Sequence, residues 1–255
     1  MAKKEPVAPR LRITHMKQNL PVLTLLATLA FVVSPLVTDP FSGFAPDRFP
    51  VPQIDPPVQP AGYAFGIWGL IYLWLVVMAV AGVTLRRHAP QWQGVHLPLI
   101  LSLGPGAVWL WVAGFAPRAA TVLIFWMMAT AIWALLRTPA QDRFLLRLPV
   151  ALYAGWLTAA AHVSLGINLG GFGIAPAEIA AIIALALASA VMLTTLYFRP
   201  DLPDYGLAFV WALVAVIVAN WGGAALVLIA AAVALLLVVF AMIRGLRSGQ
   251  LAHGL

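Results

Sequence analysis

The chain has 255 residues, of which 63% are hydrophobic and only 9% charged. A soluble domain carries about 25% charged residues, so the composition excludes a water-soluble globular protein and describes a polytopic membrane protein. The formal charge of +7 therefore gives no case for nucleic acid, and the lack of cysteine excludes disulfides, thiolate metal sites and a cysteine nucleophile.

A hydrocarbon core of about 30 Å takes roughly 20 apolar residues per helix. On that ruler eight spans are predicted, at roughly 20–38, 62–85, 97–115, 119–136, 146–166, 176–198, 205–220 and 223–243. A basic tail, 1–19, precedes the first span. That span is long for a signal sequence and no small-residue cleavage site follows it, so it reads as an uncleaved helix. Next comes a long outer segment, 39–61, rich in proline and carrying Phe41, Phe44 and Phe49. Proline keeps such a segment extended, and it reads either as a lid over the bundle or as a rigid strap. The third span carries Gly104, Pro105 and Gly106. Helix breakers at membrane depth persist where the freed backbone is satisfied again or lines a cavity, which predicts a kink beside Trp109 and Trp111. Asn168 to Gly173 reads as a flexible outer turn, and Pro200 to Pro203 as a tight inner connector. The last three spans are rich in alanine and read as a scaffold or an oligomerisation surface.

Charge tests the span count. With eight spans, every Lys and Arg falls on one side of the membrane except Arg48 and Arg118. Basic residues collect on the cytoplasmic side, so both termini are expected there, in the inner membrane of a bacterium.

The chemistry-bearing residues are few. No zinc-protease, phosphate-loop or nucleophile-elbow motif occurs and no span holds paired carboxylates, so no enzyme and no catalytic residue is expected. The run from Pro60 to Trp74 places Phe65, Trp68 and Tyr72 at i, i+3 and i+7, on one helical stripe. That stripe either lines a slot for a flat apolar ligand or packs against another helix. Among the ten tryptophans, Trp68, Trp111 and Trp156 have small or helix-breaking neighbours that leave room. Trp109, Trp126, Trp133 and Trp211 read as belt or packing residues, and Glu178 as a helix-start charge. His162 within the fifth span has several readings: a tetrapyrrole-metal ligand, a donor to a ligand, a proton-path member, or a neutral ring bonded to a backbone carbonyl or Thr158.

These residues resemble the TspO/MBR family, the tryptophan-rich sensory or translocator proteins. Three stretches carry the likeness: the Pro-rich segment leading into PAGYAFGIWGLIY, the third-span LSLGPGAVWLWV, and LPVALYAGWLTAAAHVSL. The sequence departs from the family pattern in having Tyr63 for the usual Trp and three residues rather than four from Phe65 to Trp68. The resemblance implies an all-α transmembrane bundle with a five-helix core, 20–166, and a three-helix extension with its tail, 167–255. It also implies an apolar planar ligand of the tetrapyrrole or porphyrin class, with no other cofactor, and a role in regulating pigment metabolism. Pro60, Phe65, Trp68 and Tyr72 would contact that ligand, with Trp111 and Trp156 closing the cavity and His162 nearby. The alternatives are a transporter of an apolar metabolite, or a structural subunit of a larger membrane complex, photosynthetic or otherwise. Partners besides the ligand are the lipid bilayer and either a second copy of the chain or that larger complex.

Overall fold

Prolines set where several helices begin. A residue before proline is pushed out of the α region, and Ala89, Ala116 and Arg199 all leave it, at ψ 112°, 74° and 69°. Pro90 and Pro117 then open the next helices, where a missing N–H costs nothing. The result, in a computed structural model, is eight helices: α1 (Ala8–Val33), α2 (Ile67–Thr84), α3 (Pro90–Phe115), α4 (Pro117–Leu136), α5 (Leu148–Gly171), α6 (Ala177–Phe198), α7 (Tyr205–Ala219) and α8 (Ala225–His253). The structure describes residues 8–39 and 41–253, with side chains for 19–39 and 41–247. Lys3 and Lys4 of the basic tail, and Pro40 of the strap, lie outside the described residues.

Among the described residues, seven helical segments are long and apolar enough to cross a membrane, and α7 is a shorter apolar helix. The polytopic all-α bundle expected from hydropathy is therefore present, and no strand occurs among the described residues. The central element is α5, which packs against α2, α4, α6 and α7. Its sequence explains the position. Ala151, Ala154, Gly155, Ala161 and Gly166 keep its surface low enough for close approach by neighbours. Around it, α1 packs with α2 and α3 and α3 with α4, while α8 packs with α6 and α7, so α5 joins two helix groups.

Two stretches of helix-breaking residues lie within continuous helices. The third helix does not break at Gly104–Pro105–Gly106 but runs unbroken from Pro90 to Phe115. Pro105 cannot donate to the carbonyl four residues earlier, that of Leu101. The Trp126 indole of α4 donates to that same oxygen at 2.9 Å. A freed carbonyl is thus satisfied by a neighbouring helix, as the bilayer requires. Trp126→Phe keeps the ring and orphans the carbonyl, and should cost about 1–2 kcal/mol in detergent unfolding. A variant as stable as the parent would show that the bond carries no weight.

The second stretch is Asn168 to Gly173. Helix α5 continues to Gly171, and Asn168, Gly170 and Gly171 are buried. Only the end turns, at Gly173 with φ 68°. These glycines are there for close approach: a Cβ on Gly171 would collide with the Phe49 ring of the strap, and one on Gly170 would press on Gln53.

At one end of the bundle, ion pairs tie the connectors together. Asp142 sits at φ 56°, a left-handed position that a non-glycine residue holds only when anchored. Arg86 grips its carboxylate with two bonds, at 2.8 and 2.9 Å, and the Trp92 indole adds a third at 3.0 Å. Asp204 receives Arg143 in the same two-bond manner, with Arg147 at 3.7 Å. Arg199 pairs with Asp201 and also donates to the Leu136 carbonyl. The segment Pro200 to Pro203 therefore carries one anchoring carboxylate, Asp201, and is followed at once by another, Asp204, rather than being only a tight connector. The bonds from Arg86 and Trp92 hold the Asp142 carboxyl down at about 2, from an ordinary 3.8. A depressed carboxyl stabilises the fold fully above its unfolded value and loses that contribution as pH falls. Thermal stability in detergent should thus drop between about pH 4 and pH 2 by less in Asp142→Asn than in the parent. Identical acid profiles would remove Asp142 from this role.

Candidate functional site

A cavity of about 230 Å³ lies between α1, α2, α3, α4 and α5, beneath the Pro-rich segment. Its aromatic wall is built by α2. Trp68 and Tyr72 lie one helical turn apart and stack, with ring centres 5.0 Å apart and planes 22° from parallel. Trp156 of α5 stands edge-on to both Trp68 and Phe65, each at 6.1 Å. Phe31 of α1 packs edge-on against Trp68 and Tyr72. It can sit there because residue 106 is glycine; a Cβ would lie 2.7 Å from the Phe31 ring. Such edge-to-face and offset contacts are the favoured aromatic geometry. The rings therefore touch one another and still leave a void beside them.

Behind Phe31 the core is packed. Beneath Phe31, the Tyr153 ring is fully buried and its hydroxyl lies 2.9 Å from Ser102 Oγ. Ser102 in turn donates to the Met127 carbonyl at 2.8 Å. The roof is the strap. Phe41 meets Trp109 at 5.1 Å, Phe44 meets Phe49, and Phe49 meets Phe172. Its second half is pinned by backbone and side-chain bonds: Val51 N–H to the Gly171 carbonyl, the Asn220 amide to the Pro57 carbonyl, and Ala61 N–H to the Ala215 carbonyl. Its first half is held chiefly by the phenylalanine rings and one exposed bond of 3.4 Å, from Gln59 to the Ser42 carbonyl. The segment thus lies over the cavity mouth, bonded to the helices from Val51 onward and packed through its phenylalanine rings before it.

Of the predicted ligand residues, Pro60, Phe65, Trp68, Tyr72 and Trp156 all line this cavity. Trp111 does not. It is 66% exposed on the outer face of α3, against Phe115. Its place is taken by Trp109, which lines the cavity and donates to the Ala120 carbonyl of α4 at 2.8 Å. The periodicity contained the signal: Ser102, Gly106 and Ala113 mark the buried face of α3, and Trp109 lies closer to that face than Trp111. His162 is also off the cavity. One ring nitrogen lies 2.7 Å from the Thr158 carbonyl, and the ring packs edge-on to Phe125. That is the backbone-bonded reading of His162. The sequence reading passed over Ser164, on the cavity wall and 2.7 Å from Thr121, and Ala212 of α7.

The tryptophans divide by what their indole N–H does. Trp74, Trp109, Trp126 and Trp211 each donate to a backbone carbonyl of another segment, and Trp92 donates to Asp142. Trp111, Trp133 and Trp221 are exposed on the outside. Trp68 and Trp156 make no hydrogen bond with the described residues, and both line the cavity.

A family model described as TSPO-like protein matches residues 48–244, well over half of the chain. That match continues through α6 and α7 into α8, beyond the five-helix stretch. Neither the curated proteins nor the solved structures give a match.

Proposed function

The chain belongs to the TSPO-like protein family, and we propose that its cavity binds a planar apolar molecule of the tetrapyrrole class, making the protein a membrane receptor that regulates pigment metabolism rather than an enzyme. One observation carries this reading: of the five tryptophans that make no hydrogen bond with the described residues, Trp111, Trp133 and Trp221 are exposed on the outside, and the other two, Trp68 and Trp156, wall the cavity with Tyr72 and Phe65. Structural tryptophans staple helices; these two are spare. A flat ring system is held by such faces and edges, and an apolar pocket needs few polar groups to orient its occupant.

Volume sets a condition. Pockets for drug-sized ligands run to about 300–1,000 Å³, above the 230 Å³ enclosed here. A whole macrocycle therefore enters with the Phe41–Phe44 flap raised, which the weak attachment of that half permits. The packed core behind Phe31, where Tyr153 and Ser102 are hydrogen-bonded, supports one-sided binding over transport. Membership and a basic end at Arg86, Arg143, Arg199 and Arg247 support an inner-membrane position with that end cytoplasmic. Purified protein in lipid nanodiscs should show saturable quenching of tryptophan emission by a porphyrin. Linear quenching equal to that of an unrelated tryptophan-bearing membrane protein would refute the reading.

A further inference from the structure

We propose that the cavity selects an uncharged planar ligand bearing a neutral acceptor such as an ester or ketone, and disfavours one bearing free carboxylates; this rests on the reading that the cavity is the ligand site. The wall holds no lysine, arginine or histidine. Among the described residues its one charged side chain is Asp39, at the exposed mouth. The outer cations stand elsewhere: Arg118 lies 3.6 Å over the Phe172 ring, and Arg48 is exposed in the strap turn Pro46–Arg48.

The polar groups that do reach the wall are neutral, and most are committed. Trp109 N–H is taken by the Ala120 carbonyl, and one of the two Gln59 amide protons by the Ser42 carbonyl. Thr121 donates its one proton to the Pro117 carbonyl and accepts from the Asn168 amide, so Ser164 is left to donate to Thr121. Ser164 therefore offers the cavity only lone pairs. The donors free to meet a ligand are the Trp68 indole, the Tyr72 hydroxyl and the second Gln59 amide proton, with the enclosed and partnerless Trp156 N–H beside them. A neutral carbonyl is matched by one such donor. A carboxylate entering the same wall loses its hydration with no cation to meet it, and passes a like charge at the mouth.

The test uses the full chain in nanodiscs of neutral lipid at pH 7. Saturable quenching by protoporphyrin is compared with that by its dimethyl ester. Both are expressed per membrane-bound porphyrin, so that the greater partitioning of the ester into lipid drops out. The ester should bind on the order of tenfold more tightly or better. Asp39→Lys, at an exposed position, should narrow that ratio by strengthening binding of the free acid alone. Equal affinity, or tighter binding of the acid, overturns the charge selection while leaving the cavity as a porphyrin site. Saturable quenching by neither porphyrin removes the cavity as the site, and this inference with it.

Discussion

Replacing Trp68 and Trp156 together by alanine should weaken porphyrin quenching by roughly thirtyfold, from the loss of two ring contacts at about 1 kcal/mol each. Both rings border the void, and neither indole serves a helix–helix bond, so the change acts on the ligand more than on the fold. Trp156 is nevertheless 2% exposed, and its truncation opens space in the core. Trp68→Phe with Trp156→Phe separates the two effects. Phenylalanine retains most of the packing and stacking while deleting both N–H groups, so its loss of binding should be smaller, with the unfolding midpoint nearly kept. Trp111→Ala is the internal control. Its ring faces outward, and binding should stay within twofold of the parent. A Trp111 variant as impaired as the double variant would place the ligand on the outer face of α3 and dismiss the cavity.

Sequence was a good guide to the spans and a poorer one to faces, and the bilayer explains why. Length and hydropathy mark a helix because lipid admits no unsatisfied backbone, so all eight elements were visible, with α3 longer than expected at its start. In water, a polar face also tells which side of a helix points outward. Here the lipid side and the core side are both apolar, and Trp109 and Trp111 look alike in the sequence while facing different surroundings. The same ambiguity hid His96, which lies within α3 with Nδ1 3.0 Å from Thr24 Oγ1. It also hid the pairing of Trp126 with the carbonyl left free by Pro105. The aromatic stripe on α2 was legible because its residues are distinctive at helical spacing. What it packed against depended on α1 and α7, whose Phe31 and Trp211 stand far away in the chain. Trp211 donates to the Ala64 carbonyl and so fixes the start of the stripe from outside the five-helix stretch.

That dependence on α7 leads to the largest expected effect on stability. Gly155 lies where α5 crosses α7, and a Cβ there would run into the Tyr205 carbonyl oxygen. The obstruction is backbone, so no rotamer can relieve it. Gly155→Ala should force the two helices apart and destabilise the protein by about 2–3 kcal/mol, the upper range for overpacking. The shift also strains the buried hydrogen bond between the Thr158 and Tyr205 hydroxyls, 2.6 Å apart. Gly69→Ala gives the comparison: its added methyl meets nothing within 4 Å on α2, and it should not destabilise. Denaturant titration of both variants in detergent, followed by helical circular dichroism, reads the difference. Because Trp156 is the next residue after Gly155, a displaced α5 also misplaces one cavity wall, and Gly155→Ala should bind porphyrin more weakly even where it remains folded. A Gly155 variant with parental stability and parental binding would mean that α5 and α7 do not meet at this crossing, and that the helices beyond α5 do not hold the site in place.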